Sequence, residues 1–357
     1  VNGHATLAQA LLHAVHAQDF GATPDSERGG APLTHFPGID LAVIDFSRGA
    51  PRWANVLFSR EHPQGVVAEV GDDASAVQNI RFDADLTDAH GESVAWAPDA
   101  DWQRLPFRPL AGQGALRFVA PYPASLLKLM VAVGVGLALD RGLITGWPDA
   151  LAPMIELSDN DATTDCVKRL HRCGMVQALN RRFAELGLAT LQLNDTTPQG
   201  GWRNGDGSGV GHIHMTAWDT ARLLWLLDAD ALPPPWLPAG TALLQPATRD
   251  HLRRVLQAQQ LDHVLSSGSL RAVPGWLPGL PDAPTFAHKT GNTHNYSADA
   301  GIVRGPGLHA IVAVLTSLGQ RYAPDARCAT TWRLPALGAA LHGLLQRPLQ
   351  GPRQSPP

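Results

Sequence analysis

The sequence predicts an α+β protein in which one antiparallel sheet is built from both ends of the chain and an all-helical lobe is inserted between them. Three observations carry this. Strand-like runs fall before residue 60 and after residue 284, the patterns between about 123 and 280 are mostly helical, and the late strands are joined closely enough for hairpins. Such a layout leaves a cleft where lobe and sheet meet, the natural place for a site.

Taken in order, residues 5–18 set Leu7, Leu11, Leu12 and Val15 on one face of an amphipathic helix. A Gly/Pro-rich link runs to Pro37. "IDLAVIDF" (39–46) and "RWANVLFS" (52–59) are strands, and "SRGAP" between them is a hairpin turn. Residues 60–116 are polar and irregular, with one strand-like stretch at "QNIRFDADL", and read as an insertion. Helices are expected at 125–141, 159–172, 175–186, 216–228 and 247–259. Gly187 stops the third, and Thr216 with Asp219 caps the fourth. The long loop 190–214 suggests function or mobility by its length. Strands follow at 285–292, 297–305 and 308–317, the last two joined by Pro306-Gly307, and a final helix covers about 330–346. The expected division is an N-terminal helix and linker (1–36), one catalytic domain (37–347) and a tail (348–357). Within that domain the sheet lobe takes about 37–118 plus 283–347, the helical lobe about 119–282, and the insertion about 60–116.

A net charge of −4 gives no electrostatic case for nucleic acid or an anionic membrane as partner. The longest apolar run, Leu129 to Leu139, is too short to span a bilayer. Cys166, Cys173 and Cys328 have no metal-ligand spacing; the first two are about 10 Å apart on a continuous helix, so free, buried thiols are expected. No secretory leader is read at Val1.

Positive charge is unevenly supplied: three lysines stand against twenty-five arginines. Arginine keeps its proton in a protein, whereas lysine can give it up, so a retained lysine suits proton transfer. Lys128 follows Ser125 by three residues at the start of an apolar helix. That spacing stacks both on one face, where a neutral amine can activate the hydroxyl. Read alone, the pair is a helix cap and a snorkelling lysine. Ser158-Asp159-Asn160 opens the next helix: its hydroxyl can relay a proton and its amide can hold a substrate carbonyl, though all three types also favour caps. Lys289-Thr290-Gly291 lies on a strand. Gly291 permits close backbone approach, Lys289 and Thr290 offer a cation and a hydroxyl to a carboxylate, and the Asn292 N–H can join that of Ser125 as an oxyanion hole. The plain alternative is a solvated edge strand. Lys168, mid-helix, is read as surface.

In the order S-x-x-K, S-D-N, K-T-G, these motifs form the signature of class A β-lactamases and penicillin-binding proteins. Over about residues 37–346, through "ASLLKL", "SDNDATTD", "HKTGNTHNYSADAGIV" and "FAELGLATLQLNDTT", the chain resembles that serine hydrolase superfamily. The resemblance implies a five-stranded antiparallel sheet flanked by terminal helices beside the helical lobe. It further implies Ser125 as acylated nucleophile, Lys128 as base, Ser158 as relay, Asn160 as amide ligand, and Lys289 with Thr290 as carboxylate site. No cofactor and no metal are implied. Two departures stand out. The family's Ω-loop glutamate position holds Thr197, and Ser158 follows Ser125 by only 33 residues, shorter than the family spacing. Asp195, Asp206, His212 and His214 in the long loop are candidates for the missing deacylating group. His212-x-His214 lacks a third metal ligand. Asp299 reads as a polar anchor behind the K-T-G strand.

The expected function is hydrolysis of β-lactams or related amides through acyl-Ser125. The alternatives are a D-alanyl-D-alanine peptidase or small-ester esterase of the same fold, or a slowly deacylating penicillin-binding sensor. The expected partner is a small molecule or peptide bearing a carboxylate, bound by a monomer. A periplasmic or secreted location follows from the resemblance alone.

Overall fold

The central sheet of this computed structural model, which describes residues 3–84, 104–202, 213–266, 284–325 and 328–346, runs antiparallel throughout. Helix α1 (Gly3–His16) comes first, followed by a small ladder of β1 (Pro24–Asp25) and β2 (Ala31–Pro32). The sheet begins with β3 (Ile39–Asp45) and β4 (Arg52–Phe58), and β5 (Val66–Val67) adds a two-residue edge. Its other strands come from the far end of the chain: β11 (Thr285–Asn292), β12 (Ser297–Gly305) and β13 (Leu308–Thr316). The order is β11-β12-β13-β3-β4-β5, so β13 pairs with β3 and the two chain ends meet mid-sheet. Five long strands agree with the sequence reading; β5 is the addition.

Both faces of the sheet are covered, which explains why β3 is apolar nearly throughout rather than alternating. Leu41, Val43, Val312 and Val314 pack beneath α1 and the terminal helix α8 (Arg333–Gln346). Ala42, Ile44, Ile311 and Ala313 face the helical lobe.

That lobe is organised around α2 (Lys128–Asp140), in which every residue from Lys128 to Ala138 is buried. Helices α3 (Leu151–Glu156), α4 (Asn160–Arg172), α5 (Met175–Glu185) and α7 (Pro246–Gln257) surround it. Gly134 allows this closeness, because a β-carbon there would lie 3.1 Å from side-chain carbons of both Leu170 and Leu179. After α5 lies a short ladder of β9 (Gln192–Leu193) and β10 (Ile213–His214). Helix α6 (Ala217–Leu227), capped by Thr216 with Asp219 as expected, joins the lobe to the sheet. Its first N–H, on Ala217, donates to the buried Asp40 of β3 at 2.8 Å.

Two expectations need correction. The stretch 60–116, read as irregular but for one strand-like run, supplies β6 (Ile80–Ala84) and β7 (Arg108–Ala111) to a three-stranded ladder completed at its end by β8 (Leu116–Val119), which runs parallel to β6. Ile80, Phe82 and Phe118 tie it into the main core. Of the three free thiols, Cys166 and Cys328 are buried but Cys173 is only half-buried.

Candidate functional site

Ser125 does not open the α-helix; it sits on a 3-10 turn, Ala124–Leu127, that feeds into α2 at Lys128. The preceding residue, Ala124, has φ +52°, a left-handed conformation uncommon outside glycine. Edge strand β11 passes directly against this turn. A β-carbon on Gly291 would lie 2.3 Å from Pro123 O, 2.8 Å from Leu126 N and 3.0 Å from Ser125 N. Only glycine lets the two backbones come so close. Because β11 is an edge strand, alternate backbone groups face this turn instead of β12.

Ser158 also holds a left-handed backbone, at φ +56°, between α3 and α4. Asp159 is the cap of α4, accepting from Ala162 N at 2.7 Å. This reversal presents several oxygens to the fully buried Lys128. Its Nζ lies within hydrogen-bonding distance of four oxygens: Ser158 O at 2.5 Å, Asn160 Oδ1 at 2.8 Å, Ser158 Oγ at 3.1 Å and Asp159 O at 3.4 Å. From the sheet side, the equally buried Lys289 donates to the same Ser158 Oγ at 3.1 Å and to Thr290 O at 2.8 Å. Lys289 thus reaches a hydroxyl 131 positions earlier in the chain, which Lys128 also contacts. A serine oxygen accepts twice and still has a proton to give, so this hydroxyl can pass a proton on. Left-handed backbone at Ala124, just before Ser125, and at Ser158 places strain at this site, as such strain commonly is.

Burial pushes the Lys289 amine well below the usual lysine range, the Lys128 amine beside it pushes in the same direction, and Asp299 opposes both. Asp299 lies fully buried behind the strand, accepting from His288 Nδ1 at 2.7 Å and Leu265 N at 3.1 Å. Thr290 is buried beside Lys289, and Asn292 Nδ2 donates to Ala329 O at 2.6 Å, holding the segment before α8.

The long-loop candidates are placed as follows. Thr197 is exposed and closes a turn on itself: its N–H donates to Gly201 O at 2.8 Å and its Oγ1 accepts from Gly201 N at 2.9 Å. Asp195, also exposed, lines a cavity of about 540 Å³ with Arg108, His171 and Asn180. His171 is eleven residues along α4 from Asn160, roughly 16 Å of helix. His214 is buried on β10, opposite Gln192 of β9. Asp206 and His212 lie outside the described residues. Trp202, not singled out from the sequence, places its ring 5.4 Å from Lys128 Nζ, and its indole donates to Thr164 Oγ1 at 3.3 Å. An aromatic residue directly after the Gly200-Gly201 pair was the signal available. Lys168 is a surface residue, paired with Asp165 at 3.5 Å.

Among the described residues no cluster of three His, Cys, Asp or Glu side chains forms a metal site, and no helix is long and apolar enough to cross a membrane.

Known structures share this architecture. A mutant of PBP-A in acyl-enzyme complex with penicillin G superposes with a TM-score of 0.52 at 18% identity, covering 96% of this chain and 97% of that one. A β-lactamase from Sphaerobacter thermophilus DSM 20745 gives 0.51 at 16% identity, with 95% and 96% covered. A class A β-lactamase representative from Bacteroides cellulosilyticus DSM 14838 gives 0.52 at 15%, with 95% and 98% covered. At these identities the likeness is one of fold. No curated protein matches the sequence. The model of the Beta-lactamase enzyme family matches residues 134–331, more than half of the chain. On that match and this fold, the chain belongs to the β-lactamase enzyme family and is a serine hydrolase.

Proposed function

We propose that the protein opens β-lactams, or closely related strained amides, through an acyl intermediate on Ser125. The observation that carries this reading is the Ser158 hydroxyl held between two buried amines, one from each motif that flanks it. In the first step the Ser125 oxygen attacks the carbonyl carbon and its proton passes to the neutral Lys128 amine. The tetrahedral oxyanion rests on backbone N–H groups of Ser125 and Asn292, which the glycine at 291 allows to converge. As the C–N bond breaks, Ser158 gives its proton to the leaving nitrogen and is reprotonated from Lys128. Asn160 holds the substrate amide, and Lys289 with Thr290 binds its carboxylate. The natural setting of such chemistry is periplasmic or secreted, with the catalytic unit spanning 37–347.

Deacylation is the weaker half. Thr197 supplies no carboxylate and folds back on its own turn, which favours a second reading: a long-lived acyl-enzyme, as in a penicillin-binding sensor or a peptidase. One experiment separates them. The protein is incubated with a fluorescent penicillin and a chromogenic cephalosporin while intact mass is followed. Transient label with continued turnover supports a β-lactamase, and persistent label supports the binder or peptidase. No label shifts the reading to esters. Labelling that survives Ser125→Ala removes the nucleophile assignment.

A further inference from the structure

Lys289 is fully buried, yet among the described residues no carboxylate lies within ion-pair distance of its amine. Instead it donates to a hydroxyl and a carbonyl, and Lys128 approaches the same hydroxyl from the other side. A buried amine beside a second amine gives up its proton readily unless a negative charge compensates. The charge lies beneath the strand. Asp299 stands directly opposite Thr290 in the β11–β12 register, next to Ala300, which is the partner of Lys289. Its carboxylate shares a face with His288, so it acts on Lys289 across the thickness of one strand. Asp299 is 0% exposed, and no arginine or lysine among the described residues pairs with it directly.

We propose that Asp299 is the remote counter-ion of Lys289, a positioning residue that keeps this amine cationic so that the site selects substrates bearing a carboxylate. Opposite charges in a dry interior interact with little solvent screening, so contact is not required. The other titratable groups facing the pair are His288 on β11, Lys128 across the cleft and His263 from the segment after α7. Burial holds the His263 ring down to about 4, so it adds no positive charge at neutral pH. The inference rests on the reading of Lys289 as the carboxylate-binding cation.

The chain has three lysines, so ¹³C labelling at lysine Cε gives three signals, assignable with Lys168→Arg and Lys289→Met. Asp299→Asn preserves size and an acceptor for the Leu265 N–H while removing the charge. In this variant the Lys289 titration midpoint is expected to fall by about one pH unit, a tenfold loss of proton affinity. KM for a penicillin should then rise, approaching tenfold at pH above the wild-type midpoint, with kcat on a neutral ester little changed. An unmoved Lys289 midpoint overturns the proposal. Should the asparagine variant not fold, Asp299→Ser replaces it; failure of both to fold makes the role structural and also overturns it. If penicillin never acylates the wild type, the proposed function fails, while the NMR midpoint still decides the counter-ion claim.

Discussion

Gly291 is pressed so closely against the Ala124–Leu127 turn that a β-carbon on it would stand 3.0 Å from the Ser125 nitrogen and 2.3 Å from Pro123 O. Gly291→Ala must therefore move either the strand or the turn. Displacement by about 1 Å typically costs 10²-fold in rate, and penicillin labelling of Ser125 should slow by at least that much. A variant labelled at the wild-type rate would show that the two backbones do not cooperate.

Ser158 receives both buried amines, so its removal has two consequences. Ser158→Ala should slow acylation by about 10²–10⁴-fold, the usual range for a lost proton-transfer group. Rapid-quench mass spectrometry with a penicillin measures it. A rate within threefold of wild type would take the hydroxyl out of the proton path.

Asp40 predicts an unusual stability profile. Burial pushes its carboxyl up to about 6, despite hydrogen bonds from Ala217 N and Asn55 Nδ2. The folded state then binds this proton more tightly than the unfolded chain, in which the value is near 3.8. Its contribution to stability is largest at low pH and falls as pH rises from about 4 through 6, by on the order of 3 kcal/mol in total. Asp40→Asn should flatten that part of the profile in denaturant titrations at pH 4, 5 and 6. The Asn55 amide, whose Oδ1 has no partner, can turn to receive the new donor. An unchanged slope would assign the dependence elsewhere.

Arg321 ties the N-terminal segment to the rim of the site. It donates twice to Asp25 at 2.6 Å, its backbone N–H donates to His294 O at 2.8 Å, and His294 lies in the β11–β12 turn just beyond K-T-G. Breaking a buried pair by removing one partner costs about 3–5 kcal/mol. Arg321→Met should lower the denaturation midpoint accordingly and slow acylation. A stable variant with normal acylation would confine the pair to the periphery.

Much of this was readable in the chain because the informative signals were local. The apolar runs of β3, β12 and β13 and the motif spacings around Ser125, Lys128 and Lys289 lie within short windows, and the rarity of lysine marked two residues of the candidate site. Helix α3 was missed because it is six residues long with Pro153 inside it. The β6–β8 pairing was missed because parallel neighbours separated by a long connection leave no local pattern. Asp299 was read as a polar anchor behind the K-T-G strand, but its partner His288 sits on another strand, and register is what joins them. Ser125 was expected on the α-helix itself; the 3-10 turn comes from its contact with β11, a tertiary effect.

The concealment of Lys128 and Lys289 also makes the folded protein selective toward amine-reactive reagents. Lys168, about a third exposed, is the only lysine whose amine reaches solvent. Among the three lysines it offers a single handle for tethering the molecule to a bead or a dye without touching the site. Faster modification at the other two lysines would report opening of the cleft, so the same reagent doubles as a probe of unfolding.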